Sequence, residues 1–290
     1  MKLLLKFNLV FILVFALGLA ATGFVSWTLL ERNARDEIAQ NARLLMDTAL
    51  AARTYTSTQV NPLLETQMKY TFLPQSVPAY SATEVFNDLR KKHSEYGYKE
   101  AVLNPTNPRN RATDWEADLI QTFRNDAAQK ELMGERDTPT GRSLYIARPI
   151  QIKNPACLAC HSVPSAAPKS MLKLYGEANG FGWKHNEIVG AQVVSVPMSL
   201  PIHNAERAFR TFMSLLAAVF AAVFLVLNVM LSWMIVRPIH RMSKAADRVS
   251  TGDFQIEEFS ERGKDEIAVL GASFNRMRRS LQKAMQMIEG

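Results

Sequence analysis

Both cysteines of the chain fall in one short stretch, "NPACLACHSVP" (residues 154–164), as Cys157 and Cys160, with His161 directly after the second. Two thiols so placed can close a disulfide, contribute to a metal site, or carry a covalently attached haem of the c type. In the last case both sulfurs form thioethers to the porphyrin vinyl groups, and the next residue turns its imidazole to the iron as proximal axial ligand. A structural zinc site calls for four Cys or His ligands, whereas the five histidines (93, 161, 185, 203 and 240) are scattered and no second close pair exists. A redox-active CxxC expects a thioredoxin-like βαβ surround that the sequence does not offer. An inert disulfide stays open, and the CxxCH order favours haem c, one per chain.

Two apolar runs decide where this motif lies. Phe7 to Leu30 and Phe212 to Val236 contain no charged side chain. Each exceeds the ~20 residues a helix needs to cross a bilayer. The first could instead be a cleaved signal peptide, with "MKLLLK" as basic n-region and small residues from Ala16 to Ala21. Its continuation to Leu30, with Trp27 placed as an interfacial anchor, favours a retained helix. Lys2 and Lys6 precede the first run, while Arg237, Arg241 and Lys244 follow the second, so both ends are expected in the cytoplasm. The expected division is a cytoplasmic N-terminus (1–6), a first transmembrane helix (7–30), a periplasmic domain (31–211), a second transmembrane helix (212–236) and a cytoplasmic module (237–290). The location that follows is a bacterial inner membrane. Part of the net charge of +7 sits at the membrane flanks, and no motif for binding nucleic acid accompanies it, so that class is set aside.

Within the outer segment, Ile38, Ala42, Leu45, Ala49 and Ala52 recur at steps of four and three. Such a stripe serves a dimer seam or packing on the chain's own domain. Pro62, Pro74 and Pro78 predict a loop-rich passage. "ATEVFNDLRKKH" predicts a helix with Val85, Phe86 and Leu89 on one face, and "DWEADLIQTFRNDAAQKEL" another with Asp114 as N-cap. "RSLYIARPIQI" and "EIVGAQVVSVPM" predict strands and "YKEAVLN" a weaker third. Helices leading into a small antiparallel sheet make an α+β domain, with the cysteine motif on a loop or short helix between its two best strands.

"LNPTNPRNRATDWE", "LYIARPIQIKNPACLACHS", "YGEANGFGW" and "GAQVVSVPM", in that order, resemble the periplasmic haem-c sensor family with a PAS-like fold (a former domain of unknown function, DUF3365-like). The resemblance covers most of residues 35–200 and implies that Cys157 and Cys160 carry the haem and His161 ligates the iron. It also implies a distal cysteine thiolate on the first ectodomain helix, and this chain has no third cysteine. Met46, Tyr55, Thr56 and Met68 stand on that helix instead. Met46, Met68 or His185 then becomes the candidate sixth ligand, or the iron is open to CO, NO or O2. His93, in "RKKHSEY", reads as a surface residue. Arg109, Arg111 and Arg148 are candidate partners for haem propionates.

After the second run, Pro238 is followed by Ile239, Met242, Ala246 and Val249 at helical spacing, then by a connector with Gly252, Phe254 and Ile256. From "DEIAVL" onward Ile267, Leu270, Phe274, Met277, Leu281, Ala284 and Ile288 keep a heptad step. Two helices with one apolar seam each need partners, which a parallel four-helix bundle from two chains supplies. An amphipathic hairpin lying on the membrane is the other reading. This stretch resembles the HAMP linker of membrane receptors, an all-α coiled-coil module, down to the proline, the glycine and Asp265–Glu266–Ile267.

The expectation is therefore a homodimeric membrane receptor that detects redox state or a diatomic gas and signals to a cytoplasmic histidine kinase or other partner. No nucleophile–base constellation points to an enzyme. The output is expected from a separate protein or from the remainder of a longer one. The rival is a membrane-anchored monohaem electron-transfer cytochrome, which leaves the heptad seam without a purpose. A second rival, a chemoreceptor ectodomain with a disulfide and no haem, would carry no pigment.

Overall fold

The computed structural model describes residues 3–139, 141–260, 263 and 265–289. Lys2, used above for orientation, lies outside the described residues, as does the side chain of Ile288. The chain divides into two compact units, Thr28–Arg207 and the combination of Met1–Trp27 with Ala208–Gly290.

Helix α1 (Leu3–Tyr55) runs through a five-residue π turn, Thr56–Val60, directly into α2 (Asn61–Met68). Pro62 therefore does not break the helix as expected. A proline lacks the N–H and crowds the carbonyl four residues back, and a turn widened to π geometry ahead of it relieves both problems. The expected loop begins after Met68, and Pro78 opens α3 (Pro78–Arg90). On α3 Phe86 is buried and Leu89 packs beside it, but Val85 is 48% exposed. Ala82 and Thr83 take its place, because the buried face centres on the 82–86 step.

Strand β1 (Gly97–Val102) precedes α4 (Asp114–Asn125). The N-cap of α4 is Thr113, not Asp114, and its N–H donates to the Glu116 carboxylate at 2.8 Å in a capping box. The helix also stops earlier than expected, because β2 (Leu132–Thr138) takes the following residues. β2 pairs with β3 (Gly141–Gln151) in an antiparallel hairpin. Next come α5 (Leu158–His161), α6 (Lys169–Tyr175) and β4 (Ile188–Pro197). The sheet order is β1-β4-β3-β2, antiparallel throughout.

Alternation along the strands divides the core between two faces. Leu144, Ile146, Val194 and Val196 meet Ile38, Ala42, Met46 and Ala49 of α1 and Phe86 of α3. The stripe on α1 thus packs on its own domain. On the other face Ala147, Ala191 and Val193 meet Leu119, Ile120 and Phe123 of α4. Burial of each large apolar side chain here contributes about 1.5–3 kcal/mol.

Helix α7 (Ser199–Leu231) begins in the first unit and from Ala208 onward belongs to the other, where it runs through a second π turn, Ser232–Val236, into α8 (Arg237–Ser250), and α9 (Glu266–Glu289) follows. Phe15 stacks on Phe220 with centroids 5.0 Å apart. Two helices, Leu4–Met68 and Ser199–Ser250, are long and apolar enough to cross a membrane. α8 ends in a Schellman motif: Gly252 N–H donates to the Val249 carbonyl and Asp253 N–H to that of Arg248, with Gly252 at φ +92°. The connector folds back, so that Phe254, Ile256 and Phe259 pack with Met242, Val249 and Phe274. Ile239, Leu270, Met277 and Leu281 of the expected seam stay exposed.

Candidate functional site

The cysteine motif occupies one turn. The Asn154 side chain accepts from Ala156 N–H at 2.9 Å and starts a tight turn, Pro155–Cys157, that leads into α5. In helical geometry positions i, i+3 and i+4 share a face, so Cys157, Cys160 and His161 all border one cavity of about 900 Å³. Both cysteines are free thiols, and burial, followed by the neighbouring Cys157, pushes the Cys160 thiol up. Among the described residues no group of three or more His, Cys, Asp or Glu side chains is arranged to hold a metal ion.

His161 is held from behind. Its Nδ1 lies 2.7 Å from the Gly180 carbonyl oxygen. A carbonyl only accepts, so Nδ1 carries the proton and donates, and Nε2 is left as a lone pair. Burial lowers the pKa of the imidazole, opposed by the Gly180 bond, and the neutral ring is the ligating form. Trp183 stacks on the other side, centroids 4.0 Å apart and planes 13° from parallel. Gly180 sits at φ +84°, and a Cβ there would run into Thr106. Asn104 accepts from Gly180 N–H at 3.3 Å, which completes the clamp.

The opposite wall comes from α1, the π turn and α2, through Leu50, Arg53, Thr54, Ser57, Asn61 and Met68. Asn61 Oδ1 is buried without a hydrogen-bond partner among the described residues. Arg53 pairs with Glu100, which is 2% exposed. Burial works against the Arg53 charge, and Glu100 outweighs it and holds the guanidinium above its ordinary value. Tyr98 donates to Glu100 at 2.7 Å and accepts from Gln192 at 3.1 Å. Burial, with the Glu100 charge, raises the Tyr98 pKa.

Of the candidate distal ligands only Met68 reaches this cavity. Met46 is fully buried between α1 and the sheet, and His185 is exposed in a turn; neither borders the cavity. The stripe position that Met46 occupies is a packing position, which is why its side chain is committed elsewhere. Among the arginines, Arg109 lines the cavity, held by Glu84 at 2.5 Å. Arg148 is instead tied to Asp47 and Glu131 at 2.8 and 3.0 Å, and Arg111 to Asn179 at 3.3 Å. Arg53 and Glu100 were missed from sequence, being 47 positions apart. The donor set fits a haem held through thioethers: paired free thiols, an imidazole with its outer nitrogen unengaged, and a large cavity with mostly apolar walls and a polar atom awaiting a partner.

Comparison with known proteins gives three findings. The Tll0287-like family profile (Tll0287) matches residues 31–197, and the HAMP domain profile matches 230–283. The heme sensor protein HssS of Staphylococcus aureus, in strains JH9 and Newman, is 32% identical over 94 residues, 32% of this chain. The chain spans about 20% of the length of those relatives. The crystal structure of the cyanobacterial heme-protein Tll0287 aligns at 15% identity and a TM-score of 0.40, over 52% of this chain and 94% of that one. With its profile matched across more than half of its length, the chain belongs to the Tll0287-like family and carries a HAMP domain after that region.

Proposed function

We propose that this protein is a membrane sensor subunit whose outer domain binds one haem c and whose HAMP domain passes the state of that site to a cytoplasmic partner. The observation that carries the reading is His161: its Nδ1 is committed to Gly180 while both thiols of the motif border the same cavity. Haem would supply an iron centre whose oxidation state and ligation can change. Cys157 and Cys160 would hold it by adding each S–H across a vinyl group, which forms one S–C and one C–H bond and needs no oxidant. Arg109 and Asn61 would meet its polar edge, and Met68 is the side chain placed to approach from the α2 wall.

The family assignment and the HssS relatives, named as heme sensors, support the sensory part. The chain order supports the transmission: the helix that lines the cavity is continuous with the first apolar run, and β4 leads through Met198 into α7. The exposed part of the α8–α9 seam, Ile239, Leu270, Met277 and Leu281, supports a homodimer, since a single chain leaves these side chains bare. On this reading 31–211 is a PAS-like periplasmic domain, 7–30 and 212–236 span the inner membrane, and 237–290 signals to a kinase or other cytoplasmic protein. The role is that of a receptor rather than an enzyme, with redox change or a diatomic gas as stimulus.

Optical and magnetic spectra of protein matured in a host that makes c-type cytochromes test this. Pigment that survives denaturation is expected, and Cys157→Ser with Cys160→Ser should abolish it. Prompt CO binding by the reduced protein would assign a gas stimulus, and indifference to CO a redox one. A colourless product with the mass of the bare polypeptide would end the proposal.

A further inference from the structure

A second cavity, of about 340 Å³, lies between α3 and the first turn of α4 and adjoins the motif's cavity at Arg109 and Asn110, which line both. Its borders are α3, the first turn of α4, and residues of β1, β2 and β4. Four cations face it, Arg90, Lys99, Arg109 and Arg136, against one carboxylate, Glu116.

Glu116 is already engaged. It accepts from Lys99 Nζ at 2.6 Å and from the Thr113 N–H at 2.8 Å. Arg109 is held by Glu84 and lies over the Tyr80 ring. Two guanidiniums remain, Arg90 and Arg136, and neither makes an ion pair among the described residues. Arg136 is half-buried with its plane over Trp115, 4.0 Å from the ring centroid. Stacking engages the face of a guanidinium and leaves its in-plane N–H fork for a ligand. Trp115 and Val193 give the same cavity an apolar side.

We infer that this cavity binds a small organic carboxylate, its head group on the forks of Arg136 and Arg90 and its body against Trp115 and Val193. The planar fork matches a carboxylate bidentately. A bare tetrahedral ion would leave the aromatic wall uncovered. The volume is at the small end of ligand pockets, which run from about 300 to 1,000 Å³. Nothing in this inference depends on haem, so its failure and that of the sensor reading are separate events.

Calorimetric titration of the full-length protein in detergent with sodium benzoate and with sodium succinate is the test, with sodium phosphate and sodium sulfate in parallel. One site per chain is expected for at least one of the carboxylates, weakening as salt rises. Arg136→Gln should weaken binding on the order of tenfold, as loss of a charge-assisted contact does. Arg136→Lys should restore little, because the fork is gone. Arg90 is exposed at the end of α3, so Arg90→Gln leaves the core intact and should also weaken binding. Binding of phosphate or sulfate with neither carboxylate bound overturns the ligand class. No binding by any of the four, or carboxylate binding indifferent to both glutamine substitutions, overturns the site.

Discussion

The chemistry of the proposed haem site turns on which nitrogen of His161 holds the proton, and that is settled by a residue nineteen positions away. Gly180 at φ +84° aims its carbonyl at Nδ1, in a backbone conformation that L side chains rarely adopt and with Thr106 where a Cβ would go. Gly180→Ala should therefore cost about 1–3 kcal/mol of stability and loosen the imidazole; a lower unfolding midpoint and an altered axial-ligand signature in the magnetic spectrum check it. An unchanged spectrum and midpoint would show that the clamp is dispensable. The grouping of Cys157, Cys160 and His161 on one cavity was legible in the sequence because three residues within one helical turn are local. The clamp was not, since Thr106 and Trp183 meet His161, and Asn104 meets Gly180, only after the chain has folded. Met46 and His185 carry atoms able to ligate iron, and neither borders the cavity.

At the scale of elements, the β-branched and aromatic content of "RSLYIARPIQI" and "EIVGAQVVSVPM" made β3 and β4 readable, since both are interior strands of the sheet and β4 is buried along almost its whole length. β2 is an edge strand, where charges such as Glu135 and Arg136 are at home, so "LMGERDT" carried no strand signal. Gly134 in its middle is required by the Tyr145 ring directly opposite. The HAMP connector illustrates the same limit. Its apolar residues were visible, but the side chains that fasten it, Asn275 and Arg278, looked like polar positions of a helix. Asn275 accepts from Phe259 N–H at 3.1 Å and donates to its carbonyl at 2.8 Å, and Arg278 donates to the carbonyls of Phe254 and Ile256. Asn275→Ala leaves two backbone groups unpaired and should cost about 1–3 kcal/mol. The measurement is limited proteolysis, with faster cleavage between α8 and α9 expected and an unaltered rate counting against the fastening role.

For the whole molecule the decisive comparison is between a receptor and an electron carrier. On the proposed reading, deleting residues 237–290 should leave the haem spectrum of the 31–211 domain intact and abolish signalling; a truncated protein that retains its full cellular role would favour the electron carrier. The Thr28–Arg207 unit has its own two-faced core, whereas Ile239, Leu270, Met277 and Leu281 of the α8–α9 seam are bare in one chain even though Met242, Val249 and Phe274 pack with the connector. A π turn amounts to one extra residue wound into a helix, and the turn at Thr56–Val60 precedes Asn61 and Met68. Shortening it by a single residue would rotate everything beyond by about 100°, swinging both side chains off the cavity wall. The bearing of α2 toward the motif is thus encoded in chain length as much as in side-chain identity, and a one-codon deletion there would do what no single replacement could.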